Sequence, residues 1–553
     1  MKIENSKLKI DKIIIFLFLL NVVLKLSIAL RPLEILDDNT IPDDAYLSLK
    51  IAKNISYDFR PVYGDNYTNG FQPMYVFLMA PVYKFFPADL YAPIRIALLL
   101  LCLFDFLALF YLCKIGRILF KSLHSIYLLM LLWALSPYVT KTTANCMETM
   151  ISVFFIVLSC YYILKNRLFE AENHSGKLFF LLGIILGLTV FARLDNAIFC
   201  AIYILILAYQ HIIYKRNPLT PFEKGGFLIP PFSKGVRGFL FKLSTTCQIL
   251  LRKLIWILLG FILAYAPWAI YSYYYTEAIF PISGKAVRLM SFHPYEIRTL
   301  FQYIKLLINW LFISTFPYNY ISIIIILAYL SLAIKLKLWS VIIKNFIQEK
   351  ILLIILLFTS CLVLSYLIFI PANWFFDRYF FQLTIAFFLI LSFLFDQLIV
   401  SGRLKIKRFF INFSYSIIIS LSFVQLYYSN LIVNTVESKG GYMRIGLWAN
   451  NYFPKGTKIG SSQTGALSYF AGNLKVVNLD GVVNEPCYIS LINRKNIEYI
   501  KDSKIDYVIG WQLNIDYIKL KSENFKPDDL TFIGIVPGIK TWNYEWKIYK
   551  VNR

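Results

Sequence analysis

Eleven apolar runs, most of them near the length a helix needs to cross a bilayer, constrain this chain more than any other feature. They fall at about 13–30, 93–113, 123–139, 148–164, 178–192, 197–213, 254–275, 319–334, 351–370, 379–400 and 409–428. A spanning helix takes about 20 predominantly apolar residues. Inside lipid its backbone groups must be satisfied within the segment, or in a closed barrel. The runs therefore predict an α-helical polytopic membrane protein of about 11 transmembrane helices. Hydrophobic residues make up 58% of the 553 and charged residues 16%, against about 45–50% and about 25% in soluble domains. A fully soluble chain, a disordered chain and a repeat array are all excluded. The first run follows a lysine-rich start without a small-residue cleavage site, and reads as an uncleaved span.

Charge orients these spans. The formal net charge is +24, which in a soluble protein would point to nucleic acid. Here the basic residues gather in alternate connections: Lys114/Arg117/Lys121, Lys165/Arg167/Lys177, 215–253, 335–350 and 403–408. The positive-inside rule places these and the N-terminus in the cytoplasm, and the C-terminus outside. No nucleic-acid partner is expected. Two shorter apolar stretches, 72–86 and 301–316, would break the alternation as spans and are expected to lie on, or re-enter, the outer face. The cytoplasmic insertion 215–253 repeats Pro221–Gly226 at Pro231–Val236, and reads as a tolerated irregular loop.

Residues 1–430 thus form a transmembrane unit with a first outer loop at 31–92. After residue 430 charges return and apolar runs shrink to strand length. Lys458–Ser461, Lys475–Leu479 and Tyr507–Gly510 predict strands, and Thr464–Ala471 and Cys487–Lys501 predict helices. A small extracytoplasmic α/β domain over 431–553 follows.

The candidate chemistry lies at the predicted outer ends of the spans. Pro42 and Asp43 start a helix with Asp44 in its first turn and Tyr46 just beyond. Its dipole would keep a carboxylate ionised, fit for a general base, although an N-cap with an acidic first turn explains the same pair. Asn145–Thr149 brings Glu148, Arg193–Asn196 brings Arg193 and Asp195, and a third stretch reads Asp377-Arg378-Tyr379. Ionisable groups at membrane depth pair or serve function, and local pairing at a turn accounts for these as readily as catalysis. Pro281-Ile282-Ser283-Gly284-Lys285 offers N–H groups and an ammonium to a phosphate, but a solvated turn explains it too. Nucleotide fingerprints, a serine elbow and H-E-x-x-H are absent. The eight cysteines contain no C-x-x-C and the four histidines are scattered, so structural zinc is not expected.

Together these stretches resemble a GT-C class glycosyltransferase of the bacterial mannosyltransferase/arabinosyltransferase-like branch. The acidic pair followed by Ala-Tyr, then Thr68-Asn69-Gly70-Phe71-Gln72-Pro73-Met74-Tyr75, is similar to the first outer loop of that class. Asn145–Thr149 resembles its N-G-M-E-T stretch, with Cys146 where the branch often has Gly. Ser461–Asn484 resembles its extracytoplasmic domain. The resemblance implies an integral membrane glycosyltransferase that moves a sugar, with inversion, from a polyprenyl-phosphate donor to an extracytoplasmic acceptor. It implies Asp43 as base, with Asp44 second, and Arg378, Lys285 and Arg193 on the donor phosphate. Asp195, Glu148, Tyr46, Asn69, Gln72, Asp377 and Tyr379 would line the substrate site. Some members of the class need a divalent metal and others none. A multi-span transporter is the rival from another class, but no matching halves are visible. A lipid-linked glycan ligase or polymerase would share the topology. The W-W-D-Y-G motif of oligosaccharyltransferases is absent from the tail, which argues against that activity.

Overall fold

The computed structural model describes residues 11–169, 175–213, 232–291, 301–302, 304–305, 317–403, 407–432, 441–541 and 543–552. Seven helices are long and apolar enough to cross a membrane: Lys12–Ala29, Ala92–Leu119, Leu194–His211, Gln248–Thr276, Lys350–Phe369, Leu383–Val400 and Arg408–Tyr428. Leu123–Leu135 and Pro137–Thr143 form an eighth candidate, bent by 53°. Three further apolar helices are shorter: Thr149–Lys165, Gly176–Ala192 and Ile323–Lys335. The chain is thus a polytopic helical membrane protein.

The bend follows from Pro137, whose ring cannot donate to the preceding turn. Ser136 accepts from the N–H of Val139 at 3.2 Å and restarts the helix. The interrupted turn leaves the Ala134 carbonyl open, and Lys25 Nζ donates to it at 3.2 Å and also to the Thr140 hydroxyl. Nearby, Asp105 accepts from Asn21 (2.6 Å) and Trp133 (2.9 Å). Lys25, buried among the spans, is thereby spent on a break in the backbone.

The helices Gly176–Ala192 and Phe232–Thr276 meet through small residues. A Cβ at Gly183 would lie 2.1 Å from the Ile257 carbonyl, and one at Gly260 2.1 Å from that of Phe180. This is the close backbone approach small residues permit between membrane helices.

The first long loop, residues 31–92, is ordered around three helices, Leu33–Asn39, Asp43–Asp58 and Pro73–Phe85, with a two-strand hairpin of β1 (Val62–Tyr63) and β2 (Asn66–Tyr67). The 72–86 stretch is the third of these and packs on the second. Most of the 301–316 stretch, and the repeat at 221–236 up to residue 231, lie outside the described residues.

The C-terminal domain carries a five-stranded sheet in the order β4-β3-β5-β7-β6. Strands β3 (Lys458–Ser461), β4 (Lys475–Asn478) and β5 (Tyr507–Gly510) are parallel. Strands β6 (Leu530–Thr541) and β7 (Tyr544–Val551) add an antiparallel hairpin. The helix expected over Cys487–Lys501 is two, Glu485–Ile492 and Asn496–Asp502. Arg494 between them takes a left-handed φ of 56°, and Asn496 N–H bonds the Lys521 carbonyl instead of continuing the first helix.

Two carboxylates of the first long loop fasten this domain. Asp37 accepts from Met443 N–H (2.8 Å) at the start of the Tyr442–Tyr452 helix. Asp43 accepts from Gly465 N–H (2.8 Å) and Ala466 N–H (2.9 Å) at the start of the Gly465–Phe470 helix. A Cβ at Gly465 would meet the Asp43 carbonyl at 1.9 Å, so only glycine admits this approach. Burial pushes both carboxyls up to about 7, against the pull of their hydrogen bonds.

An exposed aspartate titrates near 4, so each carboxyl holds its proton more tightly docked than undocked. Their contribution is therefore fully present below about pH 4 and is lost as pH rises through about 7. Denaturant unfolding of the intact protein in detergent at pH 5 and pH 8 should show a lower midpoint at pH 8. The Asp37→Asn/Asp43→Asn variant should flatten that difference. An unchanged slope would place its origin elsewhere.

Candidate active site

The adjacent acids of the Asp43–Asp58 helix point to different tasks. Successive helix residues lie about 100° apart around the axis, so only one of the pair can face the C-terminal domain. Asp43, 6% exposed, spends both oxygens on the two N–H groups described above. Asp44 turns toward the membrane helices, where its Oδ2 accepts from Arg378 Nη1 at 2.9 Å. Both partners keep contact with solvent, at 30% and 21% exposure.

Beneath this pair lies a buried cluster. Arg193 (1% exposed) ends the Gly176–Ala192 helix, with its Nε 3.1 Å from Asp195 Oδ2 and its Nη1 4.0 Å from Glu148 Oε1. Its Nη1 also donates to the Arg378 carbonyl at 3.0 Å, which fixes the backbone that carries Arg378. Tyr366 donates to Asp195 at 2.6 Å and stacks on Tyr379 at 4.1 Å, 15° from parallel. Both guanidinium groups lie 5.5 Å from the Tyr379 ring centre, within the range of cation–π attraction. Arg378 Nη1 also touches Met147 Sδ at 3.2 Å, while its buried Nε has no hydrogen-bond partner among the described residues.

The turn that delivers Met147 and Glu148 passes through Cys146, which is buried with a φ of 54°. A side chain there is strained where glycine is not, which accounts physically for glycine in the resembling motif.

Six of the residues singled out in the sequence meet here: Asp44, Glu148, Arg193, Asp195, Arg378 and Tyr379. Asp377, beside Arg378 in the chain, has its carboxylate 4.0 Å from Lys141 and its carbonyl bound by Tyr138. The rest fall elsewhere. Tyr46 is 1% exposed, donates to Asp37 at 2.7 Å and packs on Phe470, so it belongs to the docking surface. Asn69 holds the turn before Lys285, donating to the carbonyls of Ala278 and Phe280 and accepting from Ile282 N–H at 3.1 Å. Gln72 precedes the Pro73–Phe85 helix, and its buried Oε1 has no hydrogen-bond partner among the described residues. Lys285 is exposed on the Ile282–Ser291 helix, which packs on Glu485–Ile492. No described contact joins it to the cluster.

Sequence reasoning missed Tyr366, which sits unmarked inside an apolar run, and Asp480. The latter follows β4 and accepts from Val482 N–H at 2.9 Å. Burial, with a smaller push from the charges of Asp44 and Asp43, raises it to about 7 against the pull of its hydrogen bonds. No group of three or more His, Cys, Asp or Glu able to hold a metal occurs among the described residues.

A family model described as a domain of unknown function, DUF8728, matches residues 431–549. No curated protein matches the chain. Among solved structures, the archaeal oligosaccharyltransferase AglB from Archaeoglobus fulgidus, in complex with an inhibitory peptide and a dolichol-phosphate, is 12% identical. It covers 98% of this chain and 74% of its own length, with a TM-score of 0.51. ArnT from Cupriavidus metallidurans, in the apo state and bound to undecaprenyl phosphate, is 10% identical, covers 96% of this chain and 97% of its own, and has a TM-score of 0.50. Likeness at such identity is a likeness of fold, and by it this chain has the GT-C fold.

Proposed function

We propose that the protein is a membrane glycosyltransferase that passes a sugar from a polyprenyl-phosphate donor to an extracytoplasmic acceptor. The observation that carries the reading is the half-exposed Asp44–Arg378 pair, set on a cluster of buried ionic groups. The fold neighbours support the donor class, since AglB is described with dolichol-phosphate and ArnT with undecaprenyl phosphate.

Asp44 takes the base role first given to Asp43, because Asp43 is buried with each oxygen on a backbone N–H, whereas Asp44 is reached by solvent. Arg378 is held by Asp44 through Nη1 alone, in a pair that solvent still reaches, so an arriving phosphate can compete for the guanidinium. That transfer releases Asp44. The freed carboxylate accepts the proton of the acceptor hydroxyl as its oxygen forms the new bond to the anomeric carbon. The bond from that carbon to the phosphate oxygen breaks on the opposite face, so the configuration inverts. The lipid phosphate leaves with the bonding electrons, and Arg378 stabilises its charge. Arg193 orients Arg378 through the latter's carbonyl. The orientation follows: the N-terminus is cytoplasmic, and the site and C-terminal domain lie outside.

Vesicles holding the protein, given a radiolabelled polyprenyl-phosphate sugar and membrane acceptors, test this. Transfer should be seen with the wild type. Arg378→Ala should lower its rate by about 10²–10³-fold, as loss of one preorganised charge-stabilising donor does. Solute flux without sugar transfer would favour a transporter.

A further inference from the structure

The first outer loop and the C-terminal domain enclose a cavity the reaction above does not use. It has a volume of about 150 Å³ and lies between the β1–β2 hairpin and the free edge of the sheet at β4. At about 30 Å³ per water, that is room for about one sugar ring; the cavity opens to solvent, so a longer chain would continue beyond it.

Its wall is a fixed array of amides. Asn66 Nδ2 donates to Asn484 Oδ1 at 3.2 Å. Asn484 Nδ2 donates to the Asn478 carbonyl (2.7 Å) and to the Tyr499 hydroxyl (2.8 Å). Amides and hydroxyls both donate and accept, as the hydroxyls of a sugar do. The array is held before any ligand arrives, which lowers the cost of binding. Val477, Pro486 and the Tyr499 ring supply an apolar surface for the C–H face of a ring. The charged groups of the lining, Lys458 and Asp65, neutralise each other at 3.0 Å. The chemistry therefore suits a neutral polyhydroxylated ligand. Gly64 and Asp65 at the rim are exposed.

The wall also runs to the site. Asn478 Nδ2 donates to Thr464 Oγ1 at 3.2 Å, one residue before the Gly465 N–H that Asp43 holds. Asp480, two residues beyond Asn478, feels the charges of Asp44 and Asp43.

We infer that this cavity is an acceptor subsite that seats one neutral sugar unit. The inference rests on the glycosyltransferase reading for the word acceptor, and on the cavity alone for the sugar. Saturation-transfer NMR on the full-length protein, in a detergent without a sugar headgroup, tests it. The probes are the methyl glycosides of glucose, mannose and galactose, with a neutral tripeptide beside them. At least one glycoside should bind, and Asn66→Ala and Ser503→Trp, the second filling the cavity, should each weaken it at least about tenfold. Undecaprenyl phosphate binding, measured on the same samples, should be unchanged in both variants, which shows that they are folded.

Absence of any glycoside signal, survival of the signal in both variants, or binding of the tripeptide in place of the glycosides overturns the inference. If glycosides bind as expected and undecaprenyl phosphate does not, the donor reading fails and the sugar site stands. If only undecaprenyl phosphate binds, the reverse holds.

Discussion

Asp44→Asn is expected to lower sugar transfer by about 10²–10⁴-fold, the range a positioned general base supplies, while leaving donor binding and the fold in place. Asparagine keeps the shape, and its carbonyl can still accept from Arg378, now at 2.9 Å from the carboxylate. What it loses is the capacity to take a proton. The site is partly solvated, so the lost ion pair costs little stability, roughly that of a surface pair at 0–1 kcal/mol. The loss should therefore appear in kcat with little change in KM for the donor. Asp43→Asn makes the opposite pattern. It retains chemistry and weakens the fastening at Gly465 and Ala466, where loss of a cap costs about 0.5–2 kcal/mol. Transfer assays with both variants, alongside unfolding curves, separate them. A collapse of kcat in Asp43→Asn with unchanged unfolding would return the base role to Asp43.

That the two aspartates divide their work explains what could and could not be seen in the sequence. Hydrophobic runs of membrane length are dictated by the solvent they meet, so the helical segments stand out. Strands β3, β4 and β5 are short buried runs between turn residues, and they emerge at or within one residue of their expected ends. Partners distant in the chain were not legible. Nothing in Ile41–Tyr46 says that Asp43 meets Gly465, 422 residues away, because a helix start with two acids looks the same whether it caps itself, caps a neighbour or faces a substrate. The Arg193/Asp195 pairing was legible, being local. Its extension to Tyr366 was not, since a tyrosine in an apolar span carries no mark of its hydroxyl's partner. The β6–β7 hairpin was overlooked for a similar reason. Its outer edge exposes Phe532, Ile533 and Ile535, and the interruption at Pro537-Gly538 obscures the strand's alternation.

The buried half of the cluster should answer to substitution in stability before activity. Arg193 is enclosed beside Asp195 and Glu148, with side chains 1%, 14% and 2% exposed. Arg193→Ala leaves two carboxylates without their counter-charge and removes the donor that holds the Arg378 carbonyl. Breaking a buried pair by deleting one partner costs about 3–5 kcal/mol, a large part of what holds a domain together. Arg193→Ala should therefore unfold far more readily in detergent than the wild type. Arg378→Ala, which exposes only the half-solvated Asp44, should unfold nearly as the wild type does while losing transfer. Arg193→Ala with Asp195→Asn should regain part of the lost stability, because the second change removes one unpaired charge. That recovery separates electrostatic pairing from packing: a double variant no more stable than Arg193→Ala would mean that the guanidinium is held for its shape, against Tyr379, and not for its charge.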